Sequence, residues 1–351
     1  MVSDIIVECI DRRELLDDRL KCLLSAHMNV EIGRRNQCFF VASQGNQVVG
    51  ALLGLRRSTT TMLRLFKLWT SPAGDRTAIS KAIYLELDKW SGPAGVDAWR
   101  LSSDRAEDDF PQEFVALLKV TSTNSRGDYF QHWRTETHPS IGSPLYTQTT
   151  DFTCGAACLM MAFTTFDRSA RLQRGLELQL WREATSIVSL DGPGGCDPYG
   201  IALAAATRGF CARVFMSTNE PVLIEAGDSD ANRDIIGFVQ AELRSRLAER
   251  SVRVEQKPFS IGELRSAIRR GGVAIVLVDQ VETHAREVPH WILLHSATDT
   301  FFLANDPWFE RADHEQPVDV IDLPIPDVVL DKMAWYGAPP YRAAVLIEPV
   351  A

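Results

Sequence analysis

The sequence predicts an α+β protein of two domains, and three observations support this prediction. The chain has 351 residues, which is more than one hydrophobic core usually holds. Short apolar strands alternate with amphipathic helices in its first third, whereas an apolar strand and an apolar hairpin follow several helices in its last third. Residues 121–145 are rich in Ser, Thr, Gly and Pro, which is typical of a linker. We therefore expect one domain over 1–136 and a second over 137–351.

The N-terminal domain is predicted to be an α/β unit. Its expected strands are residues 4–10, two strands within 38–55, residues 62–69 and residues 96–101. Gly45-Asn46 is the expected turn between the two strands within 38–55. Apolar residues at helical spacing predict helices over 12–28, 78–90 and 110–120.

This order of elements resembles the fold of the GNAT acetyltransferases over about residues 4–135. In that family, a glycine-rich loop at the start of a helix grips the pyrophosphate of acetyl-CoA with its backbone amides. The corresponding stretch here is 71–80, in which Ala78 and Ser80 stand where the family has glycines and Asp75 stands at its arginine position. A carboxylate there would repel phosphate. We therefore expect a degenerate GNAT-like domain with a structural or substrate-recruiting role, and we do not expect it to bind acetyl-CoA.

Composition and charge restrict the possible partners. The formal net charge of −9 argues against non-specific binding to nucleic acid or to an anionic membrane surface. No apolar stretch reaches membrane-spanning length, and the N-terminus lacks the pattern of a secretion signal. The seven cysteines contain no Cys-x-x-Cys pair, which fits a reducing compartment better than a zinc or disulfide scaffold. We expect a cytoplasmic protein without a metal ion or another cofactor, and the composition leaves its oligomeric state open.

The stretch from Gln148 to Met161 has the composition of a nucleophile site. Cys154 opens an apolar run with small residues behind it, so it is predicted to begin a helix. At a helix N-terminus, the unpaired N–H groups and the helix dipole favour a thiolate over a thiol. Gln148 stands six residues earlier. Its side-chain amide can lie beside the Cys154 N–H and provide the second of two donors for an oxyanion.

The rest of the C-terminal domain is predicted to supply a base. Helices are expected at 172–185, 198–209, 232–250 and after the capping box Ser260-x-x-Glu263, with strands at 212–216 and 273–278. Residues 290–297 and 300–307 are predicted to form an antiparallel hairpin that turns at Thr298-Asp299. With that turn, His290 and Asp306 would lie opposite each other, close enough for the carboxylate to fix the imidazole tautomer. The other ring nitrogen would then face the thiol.

The set Gln148, Cys154, His290 and Asp306, in this order along the chain, resembles the papain-like arrangement and, more narrowly, the C39 peptidases. The matching motifs are Gln148-x5-Cys154-Gly155-x-Ala157, His290-Trp291, Asn305-Asp306-Pro307 and the helix over 200–210. The resemblance covers about residues 140–310 and implies a papain-like domain in which the cysteine helix packs on an antiparallel sheet. It implies Cys154 as the nucleophile, Gln148 as an oxyanion donor, His290 as base and acid, and Asp306 as the residue that orients His290.

Two features depart from the exporter peptidases of that family. The interval between Cys154 and His290 is longer, and no transporter portion is present, so leader cleavage coupled to export is not implied. A GNAT-like segment joined to a C39-like domain resembles bacterial proteins described only as C39-like.

Other chemistry-bearing residues near these motifs are expected to be structural. They are Cys158 in the core one turn after the nucleophile, Cys196 in a Gly-rich loop, His284 in a solvated loop, and His295 on the opposite face of its strand. Trp291 and Trp308 could wall a substrate groove or pack in the core, and both interpretations remain open.

The favoured function is a cysteine hydrolase that cleaves a peptide or amide bond through a thioester on Cys154. Two alternatives remain open. The same thioester could pass its acyl group to an amine, which would make the protein an acyltransferase or amide-forming enzyme. A pseudo-peptidase that only binds peptides is the third hypothesis, although an intact set of four residues argues against it. The expected partner is a peptide or another amide or acyl substrate.

Overall fold

The computed structural model describes residues 5–11, 16–32, 34, 36–103, 109–122, 129–134, 142–186, 188–189, 192–224 and 229–349. The chain forms two compact units: unit 1 comprises Met1–His138 and Glu310–Asp319, and unit 2 comprises Pro139–Phe309 and Val320–Ala351. The predicted boundary near residue 137 lies outside the described residues. The predicted division also assigns Glu310–Asp319 to the C-terminal domain, whereas its contacts group this segment with unit 1.

Unit 1 is built on a sheet flanked by helices. Its strands are β1 (Ile5–Ile10), β2 (Gln37–Gln44), β3 (Gln47–Leu55), β4 (Met62–Thr70), β5 (Ala98–Ser102), β6 (Thr121–Ser122) and β7 (Tyr129–Trp133), and its helices are α1 (Asp18–Met28), α2 (Arg76–Ser91) and α3 (Gln112–Leu118). The strand order in the sheet is β1-β2-β3-β4-β5-β7-β6. Neighbouring strands are antiparallel except for β4 and β5, which run parallel. The predicted α/β character of this part of the chain is confirmed.

Local chemistry explains two of these elements. Gln44 pairs with Gln47 across the β2–β3 turn, and Gly45 has a φ of 59°, which glycine adopts without steric cost. Asp75 caps α2, because its carboxylate accepts a hydrogen bond from the Ala78 N–H at 3.1 Å. The carboxylate therefore occupies a helix N-terminus that would otherwise attract an anion.

Buried ion pairs hold the segment Glu310–Asp319 in unit 1. The Arg57 guanidinium binds both carboxylate oxygens of Glu315, at 2.7 and 2.6 Å. The Arg64 Nε lies 2.7 Å from the Asp319 Oδ1. All four side chains are almost completely buried. Because a buried charge that loses its partner is strongly destabilising, each of these charges depends on the other member of its pair.

Unit 2 contains a larger sheet covered by helices. Its strands are β8 (Val188–Ser189), β9 (Gly192–Pro193), β10 (Cys211–Met216), β11 (Arg253–Glu255), β12 (Val273–Asp279), β13 (Pro289–Ala297), β14 (Phe301–Asn305), β15 (Leu323–Pro326) and β16 (Ala343–Glu348). Its helices are α4 (Cys154–Phe166), α5 (Arg174–Ala184), α6 (Pro198–Thr207), α7 (Asp230–Glu249), α8 (Ile261–Arg269), α9 (Val281–His284) and α10 (Asp327–Met333). The main sheet has the order β11-β10-β16-β12-β13-β14-β15, and β8 pairs only with β9.

The helix α4 packs on one face of the main sheet. Its residues from Cys154 to Thr164 are all buried, and they share a core with Leu277 of β12 and Leu293 of β13. A small residue is required where α4 meets the loop before α6, because a Cβ added at Gly155 would lie 2.6 Å from the Cys196 Cβ. All neighbouring strands of this sheet are antiparallel except β10 and β11. The predicted α+β class, with a cysteine-bearing helix on an antiparallel sheet, is confirmed.

A second close approach, between α6 and the end of α5, gives a testable prediction. A Cβ added at Gly200 would lie 2.3 Å from the Ala184 carbonyl oxygen, a backbone atom that moves only if α5 shifts. We expect Gly200→Ala to lower the free energy of unfolding by about 2 kcal/mol or more, measured by urea denaturation. Gly262→Ala on α8 is the matched control, since no atom lies within 4 Å of its added Cβ. A similar loss in both variants would contradict this explanation.

The helix α7 shows where the apolar pattern of the sequence over-predicts burial. The pattern places Ile235, Ile236, Phe238, Val239, Leu243 and Leu247 in one apolar stripe, but Ile235 is 49% exposed and Phe238 is 72% exposed. Val239 is half-buried, and the other three are buried. No helix in the described part of the chain is both long and apolar enough to cross a lipid bilayer.

Candidate active site

Cys154 is the first residue of α4, at the position that the small residues behind it predict. It is 6% exposed, so its thiol lies at the edge of the core. Thr153, which precedes the helix, makes no side-chain cap, because its hydroxyl donates to the Glu177 Oε1 at 2.5 Å. The N–H groups of the first turn have no acceptor inside the helix. One of them, that of Ala156, meets the Cys196 sulfur. The positive end of α4 is therefore available at Cys154.

His290 and Asp306 form a buried hydrogen-bonded pair. The His290 Nε2 lies 2.7 Å from the Asp306 Oδ1, and both residues are 5% exposed. The Trp308 N–H donates to the same oxygen at 2.8 Å, and the Asp306 N–H donates to the Val320 carbonyl at 2.9 Å. These bonds hold the carboxylate in place. Because Asp306 binds Nε2, the Nδ1 side of the ring remains for Cys154, which lies close enough to His290 to raise the pKa of the ring.

The strand register that brings this pair together differs from the predicted one. Leu293 of β13 pairs with Asn305 of β14, and a bulge follows between Leu294 and Ser296. The Thr298 N–H donates to the carbonyl at position 301, so the turn spans four residues. If the pairing of Leu293 with Asn305 continued by three residues towards the start of β13, position 290 would lie opposite position 308. The predicted direct opposition of His290 and Asp306 was therefore wrong. The carboxylate reaches the ring diagonally, from just beyond the end of β14.

Opposing effects set the protonation state of His290. Burial by itself lowers the pKa of an imidazole, because the charged form loses its water. The charge and hydrogen bond of Asp306 act in the opposite direction, as do the hydrogen bond and charge of Cys154, and the pKa of His290 is raised to about 10. His290 is therefore an imidazolium at neutral pH. A cation of this kind is the partner that stabilises a reactive thiolate.

Gln148 forms hydrogen bonds with the loop after Asp306 and with the turn before Cys154. Its backbone N–H donates to the Pro307 carbonyl at 2.9 Å, directly after Asp306. Its side-chain Nε2 donates to the Thr150 carbonyl at 2.8 Å, and its Oε1 is buried without a hydrogen-bond partner among the described residues. An amide nitrogen carries two hydrogens, so one of them remains for a second acceptor. Gln148 thus connects the loop that carries Asp306 to the turn that precedes Cys154.

Glu177, which organises that turn, was missed in the sequence. This completely buried carboxylate on α5 accepts hydrogen bonds from the Thr149 N–H at 2.8 Å, the Thr149 hydroxyl at 2.7 Å, the Thr153 hydroxyl at 2.5 Å and the Tyr146 hydroxyl at 2.9 Å. Burial and the bond to Glu177 raise the pKa of Tyr146. A charged side chain is almost never buried without such partners. The sequence carried no signal for Glu177, because its partners lie in a turn far from it along the chain.

Removing this carboxylate is expected to destabilise the turn before Cys154. Glu177→Ala removes the acceptor of four hydrogen bonds, whose donors lie on the buried Thr153, the partly buried Tyr146 and the exposed Thr149. A donor left buried without an acceptor costs roughly 1–3 kcal/mol, so we expect the free energy of unfolding to fall by about 2 kcal/mol or more in urea denaturation. Glu183→Ala on the same helix is the control: Glu183 pairs with Arg208 near the surface, and its loss is expected to cost less than about 1 kcal/mol. Comparable losses in the two variants would disprove the special role of Glu177.

Three other residues around the site pack in the core. The Cys158 thiol is fully buried and donates to the Trp291 carbonyl at 3.3 Å. The Trp291 Nε1 donates to the carbonyl of Cys196, which is also fully buried, at 3.0 Å. Cys158 and Cys196 therefore have structural surroundings, and for Trp291 the core-packing interpretation holds.

The remaining histidines lie in different surroundings from those of His290. The His295 Nε2 lies 3.1 Å from the Asp322 Oδ1, and both side chains are completely buried. His284 ends the short helix α9 and is buried, so the expectation of a solvated loop histidine was wrong. In the part of the chain that the structure describes, no group of three or more His, Cys, Asp or Glu side chains is arranged to hold a metal ion.

Comparison with known proteins identifies the family of the C-terminal part. The family model DUF3335, described as the Peptidase_C39 like family, matches residues 143–348. A comparison with curated proteins gives no match. Among solved structures, a protein described as a C39-like peptidase from Bacillus anthracis is 11% identical, with a TM-score of 0.34. The match covers 61% of this chain and 100% of that one.

Solved structures of acetyltransferases match the N-terminal part. A protein described as the N-acetyltransferase YhhK from E. coli, bound to coenzyme A, is 13% identical over 37% of this chain and 98% of its own, with a TM-score of 0.29. The N-acetyltransferase PseH from Campylobacter jejuni is 10% identical over 38% of this chain and 99% of its own, with a TM-score of 0.28. The predicted resemblances to both families are confirmed. Because the family model covers more than half of the sequence, the chain belongs to the Peptidase_C39 like family.

Proposed function

We propose that unit 2 is a cysteine peptidase that hydrolyses a peptide or amide bond. The observation that carries this proposal is the buried His290, whose Nε2 binds Asp306 and whose ring lies beside the Cys154 thiol. A nucleophile, a base in contact with it and a group that orients the base are the parts that covalent acyl chemistry needs. Membership of the Peptidase_C39 like family supports the same reaction class.

In the first half of the proposed reaction, His290 holds the proton of Cys154 and the thiolate sulfur attacks the carbonyl carbon of the substrate. The carbonyl electron pair moves to oxygen. This oxyanion accepts hydrogen bonds from the Cys154 N–H, at the positive end of α4, and from the second hydrogen of the Gln148 Nε2. When the carbon–nitrogen bond breaks, His290 gives its proton to the leaving amine. The products are a free amine and a thioester on Cys154.

In the second half, water releases the acyl group. Neutral His290 takes a proton from a water molecule, whose oxygen adds to the thioester carbonyl. The sulfur then leaves as a thiolate beside the protonated imidazole, and the carboxylic acid product departs. Asp306 keeps the ring in the same tautomer and stabilises its positive charge in both halves.

Acid quenching during turnover tests this proposal. The wild-type protein is mixed with a library of capped peptides, quenched, digested and examined by mass spectrometry, with Cys154→Ala as the blank. We expect an acyl mass on the fragment that contains Cys154, and one heavy oxygen in the new carboxylate when the reaction runs in ¹⁸O-labelled water. A folded wild-type protein that forms no adduct and cleaves no peptide would leave only the peptide-binding hypothesis.

The same experiment separates hydrolysis from acyl transfer. A small primary amine such as glycinamide is added at increasing concentration, and the amide product is compared with the free acid. We expect the acid to dominate at low amine concentration. If the amide dominates there, the enzyme is an acyltransferase that uses the same thioester.

A further inference from the structure

A groove of about 670 Å³ lies in unit 2 beside the beginning of β13. Its walls include the segments 218–224, 287–289 and 336–341. Cavities of this size accept a drug-sized molecule or a few residues of a peptide. Pro289, in the middle segment, is the residue directly before His290. The groove therefore begins where β13, the strand of the candidate base, begins. We call it the acidic groove because Glu220 and Glu287 line it.

Two tyrosines form a fixed wall of the acidic groove. Tyr336 and Tyr341 exchange both backbone hydrogen bonds, at 3.0 and 2.9 Å, and their rings meet edge to face with centroids 6.0 Å apart. Tyr341 is buried, and its hydroxyl accepts a hydrogen bond from the Leu223 N–H at 3.1 Å. Aromatic rings that are held in position before a ligand arrives lose little side-chain entropy when it binds.

Among the described lining residues, the charges without an ion-pair partner are negative. Glu220 and Glu287 line the groove, both are exposed, and neither forms an ion pair with another described residue. Arg233, the third charged lining residue, already interacts with another group. Carboxylates beside aromatic faces are the surroundings that a lysine ammonium or an arginine guanidinium prefers. The net charge of −9 adds to the attraction for such a cation.

The acidic groove and the candidate active site share one strand. In the β12–β13 ladder, Asp279 pairs with Pro289 and Val278 pairs with His290. The end of the groove and the candidate base are therefore consecutive positions, whose Cα atoms are about 3.8 Å apart. An extended peptide advances about 3.3–3.6 Å per residue. Consecutive side chains of a strand point to opposite faces of the sheet, so a substrate whose carbonyl lies at Cys154 reaches the groove by passing the beginning of β13.

We propose that the acidic groove is a substrate subsite that binds a basic side chain, lysine or arginine, within a few residues of the bond that is cleaved. This proposal rests on the proposed function, because it treats the occupant as part of a peptide substrate. Glu220 and Glu287 determine the specificity, and Tyr336 and Tyr341 support the stem and the cation. An apolar side chain would leave the two carboxylates unpaired, and an acidic one would be repelled.

Binding to the Cys154→Ala protein tests recognition without cleavage. The probes are three labelled octapeptide mixtures whose central residue is lysine, norleucine or glutamate, with uncharged residues elsewhere, and binding is read by fluorescence anisotropy. We expect the lysine mixture to bind about ten-fold more tightly than the norleucine mixture, and the glutamate mixture to bind most weakly. The preference is expected to decrease as salt is added, because both carboxylates are exposed.

Matched substitutions test which residues cause the preference for the lysine mixture. In the Cys154→Ala background, the double change Glu220→Gln and Glu287→Gln is expected to reduce the lysine preference to within about two-fold. Glu249→Gln is the control, since Glu249 is an exposed acid at the end of α7 outside the groove, and it should leave the preference intact. Equal binding of the three mixtures to the Cys154→Ala protein would overturn the proposal, and so would a full lysine preference in the double variant.

Alkylation of Cys154 separates this proposal from the proposed function. Iodoacetamide carries no basic side chain, so we expect it to react with Cys154 at the same rate in the wild type and in the double Gln variant. If the lysine preference holds but the wild type hydrolyses no peptide, the hydrolase proposal fails and the groove stands as a site for basic peptides. If hydrolysis occurs without any preference for a basic side chain, the groove proposal fails and the hydrolase proposal stands.

Discussion

Replacing Cys154 with serine is expected to lower the rate of peptide hydrolysis by roughly 10⁴-fold or more, the scale of loss seen when a catalytic nucleophile is removed. The serine hydroxyl has nearly the size of the thiol and keeps its place at the start of α4. However, an imidazole does not hold a hydroxyl in its ionised form, so the attacking thiolate is lost. The rate is measured as the appearance of new amino groups in a peptide mixture. Thermal unfolding should change little, because the core around α4 is unaltered.

The exposed Cys211 on β10 provides the matched control for this prediction. Cys211→Ser should leave hydrolysis unchanged. In the wild type, iodoacetamide at neutral pH should label Cys154 about ten-fold faster than Cys211, although Cys154 is the more buried thiol, because Cys154 begins α4 beside His290. His290→Ala should remove this advantage. If hydrolysis in Cys154→Ser stays within about ten-fold of the wild-type rate, a different nucleophile carries the reaction.

Asp306→Asn is expected to move the alkaline limb of kcat/KM to lower pH. Burial lowers the pKa of His290, but Asp306 and Cys154 outweigh it and raise that pKa to about 10, so the imidazolium that protonates the leaving amine persists to about that pH. An amide at position 306 removes the negative charge, and burial then lowers the pKa of His290. Loss of the correct tautomer should also reduce the maximal rate by roughly 10²- to 10⁴-fold. A profile of kcat/KM from about pH 6 to 11 measures both effects.

The same substitution changes how stability depends on pH. Because the pKa of His290 is raised above its ordinary value of 6.5, the protonated ring stabilises the fold. This contribution is fully present below about pH 6.5 and is lost as the pH rises through about 10. Between those two pH values, urea unfolding should show a larger loss of stability for the wild type than for Asp306→Asn. Asp322→Asn is the control, since Asp322 lies beside the other buried histidine, His295. If Asp322→Asn shifts the alkaline limb of kcat/KM as far as Asp306→Asn does, that limb does not reflect the ionisation of His290.

Elements with a strong local signal were predictable from the sequence. The capping box of α8 forms as expected: the Ser260 hydroxyl accepts from the Glu263 N–H, while the Glu263 carboxylate accepts from the Ser260 N–H. The β2–β3 turn and the start of α4 follow from residues within a few positions of each other. Such signals are readable because caps, tight turns and apolar periodicity depend on neighbours along the chain.

Elements whose neighbours are distant in sequence were not predictable in the same way. No local pattern predicts an element beyond Trp308, yet β16 lies in the middle of the sheet, between β10 and β12. Ion pairs with buried arginines place Glu310–Asp319 in unit 1. Strand order and ion pairing depend on which distant groups meet, and no local pattern in the sequence records that choice.

The sequence by itself determined the α+β class and, by chain order and motif spacing, the four candidates Gln148, Cys154, His290 and Asp306. Only the tertiary structure decided how they are held. It replaced a direct cross-strand pairing with a diagonal one because the hairpin turns over residues 298–301 and not at 298–299, and it placed Glu177 beneath the turn before Cys154. It also set the charge of His290, because burial and the field of a carboxylate are properties of the folded surroundings.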